Sequence, residues 1–444
     1  FILNTFQKGE LSMSKKLIPV FLLVSILMAS CGVLVDKAEP TATVAPTAES
    51  AATEPTAQAT QAPITDAGNP CIPFSVLSYS LASPYPNLPP ITAEDYAVGP
   101  EDAALTFIVY TDPQCPYCAQ MDPILDQFQA LYPDDVRVVT RLFPLVSIHD
   151  KAMAATQALV AAGLQGKFNE LRKFIFERQR QDLSTDTSLT EADFWGSLAA
   201  ADFENWLKER VPALGIDADQ LLADMKSDAV VAKAQASLDS AMTIGISGTP
   251  TLMVNGYQWP ENQRGIEIFS IYLRLIKNKE NELDVCPPSV VDAGKKYTAT
   301  IETTQGDIQV ELYPDKAPVA VNSFVYLAEQ GWYDNLPIIA SGDFVLSGDP
   351  SDTGYGGAGY AFLDENSGLA FDQPGMLAVY SVWPGYGTNG SMFFINKIAL
   401  TDQGNRTIFG KVTEGLDVLD KFEIRDNIFN DVVDKVLKVT INEE

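Results

Sequence analysis

The chain has 444 residues, too many for one ordinary hydrophobic core, so we expect two folded units with additional segments. Hydrophobic residues make up 46% of the chain and charged residues 20%, a composition that excludes a largely disordered protein. With 58 acidic and 30 basic residues, the net charge of -28 argues against nucleic acid as a partner, because phosphate binding requires clustered lysine and arginine.

The first 31 residues have the pattern of an export signal. After Met13, two lysines lead into an apolar run over 17–28, which is shorter than the roughly 20 residues that a membrane-spanning helix needs. We therefore predict that residues 1–31 are an upstream extension and a signal peptide. The run is followed by Ala-Ser-Cys-Gly and resembles a bacterial lipobox, which implies lipidation of Cys31 and a membrane anchor. Plain secretory cleavage is the alternative.

Residues 32–70 are predicted to be a disordered linker. They consist largely of alanine, threonine, proline and glutamate, with few large apolar side chains. Such a composition cannot bury enough surface to offset the conformational entropy of the chain. We expect a semi-extended tether between the signal and the first folded unit, which we place at 71–290.

This first unit carries a Cys-x-x-Cys motif between a predicted strand and a predicted helix. Residues 104–111 are a run of apolar and β-branched residues typical of a buried strand, and a helical pattern follows the motif. At such a junction, unpaired backbone N–H groups and the positive end of the helix dipole stabilise a thiolate at Cys115. Cys118 lies one turn later on the same side and can close a disulfide with it. The motif therefore predicts a redox-active catalytic pair.

A zinc site and an inert structural disulfide are the alternatives for this motif. A closed zinc site requires four ligands, whereas the chain has one histidine, His149, and no second Cys-x-x-Cys. We therefore predict no metal and no cofactor. A bridge this short at the start of a helix is usually labile, which favours the redox role over an inert disulfide.

Two further cysteines stand at the ends of the unit. Cys71 follows the linker, and Cys286 precedes the next unit. In an oxidising compartment we expect them to form a structural disulfide, with two unpaired thiols as the alternative. In the chain-entropy model, closing so long a loop stabilises the fold by roughly 5 kcal/mol, less any native strain.

The unit resembles the DsbA-type disulfide oxidoreductases of the bacterial cell envelope, a branch of the thioredoxin superfamily. The resemblance is carried by Asp-Pro-Gln-Cys-Pro-Tyr-Cys at 112–118, Phe-Pro at 143–144 with His149, and Gly-Ile-Ser-Gly-Thr-Pro-Thr-Leu-Met-Val-Asn-Gly at 245–256. It implies an α/β thioredoxin fold with a helical insertion over 150–245. It also implies a cis bond between Thr249 and Pro250, which would present backbone groups to an incoming polypeptide beside the cysteines.

The reaction that follows is thiol–disulfide exchange on polypeptides. Whether the protein oxidises, isomerises or reduces its clients depends on its redox potential and on its redox partner, and the dipeptide between the cysteines leaves this open. Asp112 either influences the thiol pKa or ends the strand, and His149 is either catalytic or structural. We place neither in the core of the site.

A second unit is predicted over 296–444, where short alternating strands and glycine-rich turns indicate an all-β barrel with one helix over 319–330. This unit resembles the cyclophilin-type peptidyl-prolyl isomerases. The resemblance is carried by Ala-Thr-Ile-Glu-Thr-Thr-Gln-Gly-Asp at 299–307, Leu-Tyr-Pro-Asp-Lys-Ala-Pro at 312–318, Thr-Asn-Gly-Ser-Met-Phe-Phe-Ile at 388–395 and Ile-Phe-Gly-Lys-Val at 408–412.

The implied proline pocket departs from the family pattern. The family's Phe-His-Arg-Val stretch, which holds the catalytic arginine, corresponds to 338–341, and 331–396 contain no lysine or arginine. An apolar floor remains that could hold a proline ring, and Arg406 stands near the position of the family's histidine. The predicted floor residues are Phe344, Met392, Phe393 and Leu400. Because catalysis requires a donor that stabilises the twisted amide, we expect a reduced isomerase rate.

Together these patterns predict a membrane-anchored lipoprotein of the bacterial cell envelope with an extracytoplasmic working domain. Its expected partners are unfolded or partly folded secreted polypeptides, an unidentified redox partner and the membrane, reached through the lipid anchor. A non-catalytic peptide-binding chaperone or scaffold is the alternative.

Overall fold

The computed structural model describes residues 71–75, 84–180, 194–261, 263–283, 285–382, 387–401, 406–425 and 434–444. The predicted signal peptide, the lipidation site Cys31 and the predicted linker over 32–70 lie outside these ranges. Within these ranges, we find no helix that combines the length and the apolar character needed to cross a membrane.

A mixed sheet forms the centre of the first domain. In chain order, the strands and helices up to residue 278 are β1 (Cys71–Pro73), β2 (Tyr96–Val98), β3 (Leu105–Thr111), α1 (Pro116–Leu131), β4 (Val136–Leu142), α2 (Ala152–Leu164), α3 (Phe168–Gln179), α4 (Phe203–Arg210), α5 (Ala218–Met225), α6 (Asp228–Thr243), β5 (Thr251–Val254), β6 (Tyr257–Gln258) and α7 (Ile266–Asn278). The sheet order is β2-β4-β3-β5-β6, with β3 and β4 parallel and the other neighbours antiparallel. β3 is buried along almost its whole length, which explains its continuous apolar and β-branched sequence.

The helices around this sheet build two separate cores. On one face of the sheet, Phe107 of β3 packs edge-on against Phe128 of α1 and Phe269 of α7. The inserted helices α2 to α6 bury an apolar cluster of their own around Trp195. This is the helical insertion that the resemblance implied. Its helix α3 contributes Phe176 to the cluster that encloses both cysteines of the motif.

The second domain is a β-barrel. In chain order, its elements are β7 (Tyr297–Thr303), β8 (Gly306–Leu312), α8 (Pro318–Glu329), β9 (Ile339–Ala340), β10 (Phe344–Ser347), β11 (Tyr360–Phe362), β12 (Met376–Val379), β13 (Phe393–Asn396), β14 (Ile408–Glu414) and β15 (Val436–Glu443). In the described part of the chain, eight strands form one sheet in the order β15-β7-β8-β14-β12-β13-β10-β9. The N–H of Ile338 donates to the carbonyl of Asp434, and the N–H of Val436 to that of Leu336, both at 2.9 Å. These bonds join the two ends of the sheet, as the predicted barrel requires.

The ends of the predicted 71–290 unit lie on the barrel. β1 pairs antiparallel with β11, and the sulfur atoms of Cys71 and Cys286 are joined in a disulfide. On α7, Arg274 donates hydrogen bonds to the carbonyl and the carboxylate of Asp352, each at 3.2 Å. Strand pairing, a disulfide and an ion pair therefore connect the two domains.

Candidate active site

Cys115 lies where the loop after β3 turns into helix α1. Its backbone is still extended, with φ -74° and ψ 123°, and Pro116 begins the helix. Proline suits the first helical position because its missing N–H would have no partner within the helix. Cys118 follows one turn later and is buried against Phe176. Both sulfurs are thiols in this structure. The motif lies between a strand and a helix, as the sequence predicted.

The pKa values of the two thiols are shifted in opposite directions. The pKa of Cys115 is lowered to about 6, mainly because the Cys118 thiol donates a hydrogen bond to it. Backbone N–H groups of Cys118 and Tyr117 lower this pKa further, against a rise caused by burial. Burial raises the pKa of Cys118 well above its ordinary value. At neutral pH the pair therefore combines one thiolate with one protonated thiol, which suits exchange with a disulfide.

Thr249, which forms the predicted substrate-binding pair with Pro250, lies beside the Cys115 sulfur. Their peptide bond is cis, as the resemblance implied. The Sγ atom of Cys115 is 3.5 Å from the Thr249 carbonyl oxygen. The guanidinium of Arg264 donates a hydrogen bond to the Pro250 carbonyl at 2.9 Å.

Asp112 and His149, whose roles the sequence left open, contact each other. The fully buried Asp112 carboxylate lies 2.7 Å from Nδ1 of His149 and accepts the N–H groups of Gln114 and Leu145, each at 2.8 Å. The Asp112 N–H in turn donates to the Cys118 sulfur at 3.4 Å. These bonds hold the segment 145–149 beside the loop that precedes the reactive cysteine.

Three exposed apolar side chains lie on the segments next to the cysteines, and we call them the apolar rim: Tyr117, Val146 and Ile148. These side chains are 67%, 51% and 70% exposed. Tyr117 lies inside the motif, and the other two lie on the segment that Asp112 holds beside it. Clustered exposed apolar groups usually mark a surface for a polypeptide or another apolar partner. Sequence analysis missed the rim because isolated apolar residues in a loop have no periodic pattern.

The predicted proline pocket lies on the outside of the barrel. Phe344, Met392 and Leu400 belong to one apolar cluster there, whereas Phe393 packs in the barrel interior against Phe324. The assignment of Phe393 to the floor was wrong, because successive side chains of a strand point to opposite faces. Phe394 takes that place, with its ring centroid 5.8 Å from that of Phe344. We call the residues Phe344, Met392, Phe394 and Leu400 the outer pocket.

Arg406 lies on the outer pocket. Its guanidinium carbon is 5.4 Å from the ring centroid of Phe394 and 5.1 Å from that of Tyr380. Its Nη1 atom is buried and has no hydrogen-bond partner among the described residues. Ile338, in the stretch that corresponds to the family's arginine, is buried in the barrel interior. Arg406 is therefore a cationic donor at this pocket, in the neighbourhood where the sequence placed it.

Comparisons with known proteins match each domain separately. The family model described as cyclophilin type peptidyl-prolyl cis-trans isomerase/CLD matches residues 298–443, and the model described as thioredoxin matches residues 92–271. A peptidyl-prolyl cis-trans isomerase-like 1 of Rhizopus delemar is 40% identical over 152 residues, which cover 31% of this chain and 88% of the relative.

Other similar proteins share only one part of the chain. Peptidyl-prolyl cis-trans isomerase CYP71 of Arabidopsis thaliana is 35% identical over 171 residues, or 34% of this chain, and the chain spans 26% of its length. A solved thioredoxin-like oxidoreductase from Silicibacter pomeroyi is 23% identical, with a TM-score of 0.30, covering 38% of this chain and 84% of that structure.

Proposed function

Because the chain belongs to the cyclophilin-type peptidyl-prolyl cis-trans isomerase family through its C-terminal domain, and a thioredoxin-like domain precedes it, we propose that it is a protein-folding factor. Its primary activity is DsbA-type thiol–disulfide exchange on unfolded or partly folded secreted polypeptides. The observation that carries this proposal is the acidity difference between Cys115 and Cys118 at the start of α1. The apolar rim beside them supports polypeptide clients rather than small thiols.

In the proposed cycle, a client thiolate attacks the Cys115 sulfur of the oxidised pair. The bond between the two cysteines breaks, and the electron pair leaves on the Cys118 sulfur, which takes up a proton. A second client thiolate then attacks the client sulfur of the mixed disulfide, and Cys115 leaves as a thiolate. The client gains a disulfide, and an unidentified redox partner removes two electrons from the reduced pair. The lowered pKa of Cys115 stabilises the reduced form, which supports donation of the disulfide to clients in this proposal.

The pH dependence of Cys115 alkylation tests this proposal. Since a lowered pKa places the thiolate in excess above about pH 6, the rate of labelling of reduced protein by iodoacetamide should rise with a midpoint near that pH. In denaturant, the midpoint should move to the value of a free thiol, about 8.5. Peptide mapping by mass spectrometry identifies Cys115. A folded-state midpoint near that of the free thiol, with no reduction of insulin, would contradict the proposal.

We further propose that the protein acts outside the cytoplasm as a lipoprotein anchored through Cys31. The lipobox-like segment supports this location, and so does the disulfide of Cys71 and Cys286, because such bonds persist in oxidising compartments. Mass spectrometry of the mature N-terminal peptide from the membrane fraction should find an acylated Cys31. An unmodified N-terminus at another residue would contradict the anchor.

The barrel is proposed to bind, and slowly isomerise, prolyl segments of the same clients. The Nη1 donor of Arg406, which has no hydrogen-bond partner among the described residues, favours this second activity at the outer pocket. Replacing Arg406 by methionine should lower kcat/KM for a prolyl tetrapeptide about tenfold, or ~1.4 kcal/mol of transition-state stabilisation, because the twisted amide loses its donor. The matched variant Lys411→Met, on β14 outside the pocket, should leave the rate unchanged. Equal rates in the two variants would exclude this role for Arg406, and a wild-type rate equal to buffer would leave the barrel with binding alone.

A further inference from the structure

A small cavity continues the outer pocket toward the first domain. Its volume is about 30 Å³, room for one water molecule. Met392 and Val382 line it from the barrel, and both also belong to the outer apolar cluster or pack against it. From the other side it is lined by Phe74, which follows β1, and by Leu275 of α7. Residues from outside the barrel thus line a cavity that shares Met392 with the outer pocket.

Phe74 belongs to a short segment, residues 71–75, which we call the strap. The strap is held by the pairing of β1 with β11 and by a hydrogen bond from the Phe74 N–H to the Gly359 carbonyl at 2.9 Å. The Ser75 hydroxyl donates to the carboxylate of Glu282 at 3.1 Å. The disulfide of Cys71 fixes its first residue. A three-residue strand paired at one edge is weak by itself, so the disulfide is its strongest attachment.

We propose that the strap is an internal occupant of the barrel's peptide-binding surface and that the Cys71–Cys286 disulfide locks it there. This inference rests on the proposed binding of prolyl segments by the barrel. Phe74 fills the place that a client side chain next to the proline would take, so the locked pocket accepts only the proline end of a client segment.

Reduction by a dithiol releases the strap. A thiolate of the dithiol attacks one sulfur of the bond, the other cysteine leaves, and the second thiol of the reductant displaces the mixed disulfide. The reductant becomes a disulfide, and Cys71 and Cys286 each end as thiols. The ion pair of Arg274 with Asp352 does not involve the strap, so the domains stay in contact while the strap leaves the cavity.

The test is the affinity of the full chain for a fluorescent Ala-Ala-Pro-Phe peptide, measured by anisotropy. In a Cys31→Ala/Cys115→Ala/Cys118→Ala background, Cys71 and Cys286 are the cysteines that remain, so dithiothreitol acts on the bond between them. We expect reduction to lower the Kd at least fivefold, and Phe74→Ala to do the same without reductant. Ile72→Ala is the matched control, because Ile72 belongs to the same strap, is 36% exposed and does not line the cavity.

The outcomes separate this inference from the proposed function on which it rests. If the peptide binds equally to the oxidised, reduced, Phe74→Ala and Ile72→Ala proteins, the strap is not an occupant of the peptide surface, although the barrel still binds prolyl segments. If none of the four forms binds the peptide, both the strap and the proposed binding function of the barrel are overturned.

Discussion

Replacing Cys115 by serine is expected to abolish disulfide exchange, whereas replacing Cys118 by serine should trap clients as mixed disulfides. Cys115 is the sulfur beside Thr249, and its thiolate is the leaving group of the second step. Without it, transfer to a reduced unfolded client should fall at least a thousandfold, or ~4 kcal/mol in activation free energy. Single-turnover oxidation of the client, followed by gel electrophoresis without reductant, measures both effects.

The Cys118→Ser variant distinguishes covalent exchange from non-covalent binding. When Cys115 of this variant is first converted to a mixed disulfide with an aromatic thiol such as thionitrobenzoate, the thiolate of a single-cysteine client attacks the Cys115 sulfur and the aromatic thiolate leaves. Neither Cys118 nor a second client thiol is then present to break the mixed disulfide. A non-catalytic chaperone would bind clients without covalent complexes in both variants. Absence of any mixed disulfide with Cys118→Ser, combined with undiminished client oxidation by Cys115→Ser, would exclude the exchange reaction at this pair.

Replacing Arg172 by methionine should destabilise the thioredoxin-like domain strongly. Arg172 of α3 is 5% exposed and lies between two carboxylates of α1, Asp122 and Asp126, with 2.8 Å to the second. Burial lowers the pKa of this guanidinium only to about 10, so it is charged at neutral pH. Removing it takes the buried cation away from both carboxylates and leaves Asp126 with the exposed Lys173, which should cost about 3 kcal/mol of unfolding free energy.

Lys173→Met is the matched control for the loss of stability in Arg172→Met. Lys173 is the next residue along the chain, contacts Asp126 at 3.1 Å, and is 59% exposed. Because exposed pairs contribute little, Lys173→Met should cost less than about 1 kcal/mol. Hydrogen exchange of the α1 and α3 amides, followed by mass spectrometry, measures both losses in the two-domain chain, with the barrel amides as an internal reference. Equal protection in the two variants would mean that this buried ion pair does not stabilise the domain.

The sequence alone determined features that depend on neighbouring residues. The apolar run before Cys115 and the helical pattern after it place the motif at a strand-to-helix junction. There the Cys118 thiol, and to a lesser extent backbone N–H groups of the first helical turn, lower the pKa of Cys115. The alternating pattern of strands such as β7 likewise indicated a barrel before any contact was known. Local periodicity carries this information because backbone geometry fixes which side chains share a face.

Only the tertiary structure decided which distant residues meet. Asp112 contacts His149 across two structural elements, and no local pattern specifies that bond. The choice between Phe393 and Phe394 depended on strand register, which pairing with β10 and β12 sets and a one-residue shift reverses. The placement of Phe74 on the barrel required packing between two domains that are separate in the sequence. Such contacts are stabilised by burying one apolar surface against another. Each of these surfaces exists only after its own part of the chain has folded, so a local sequence pattern does not specify the contact.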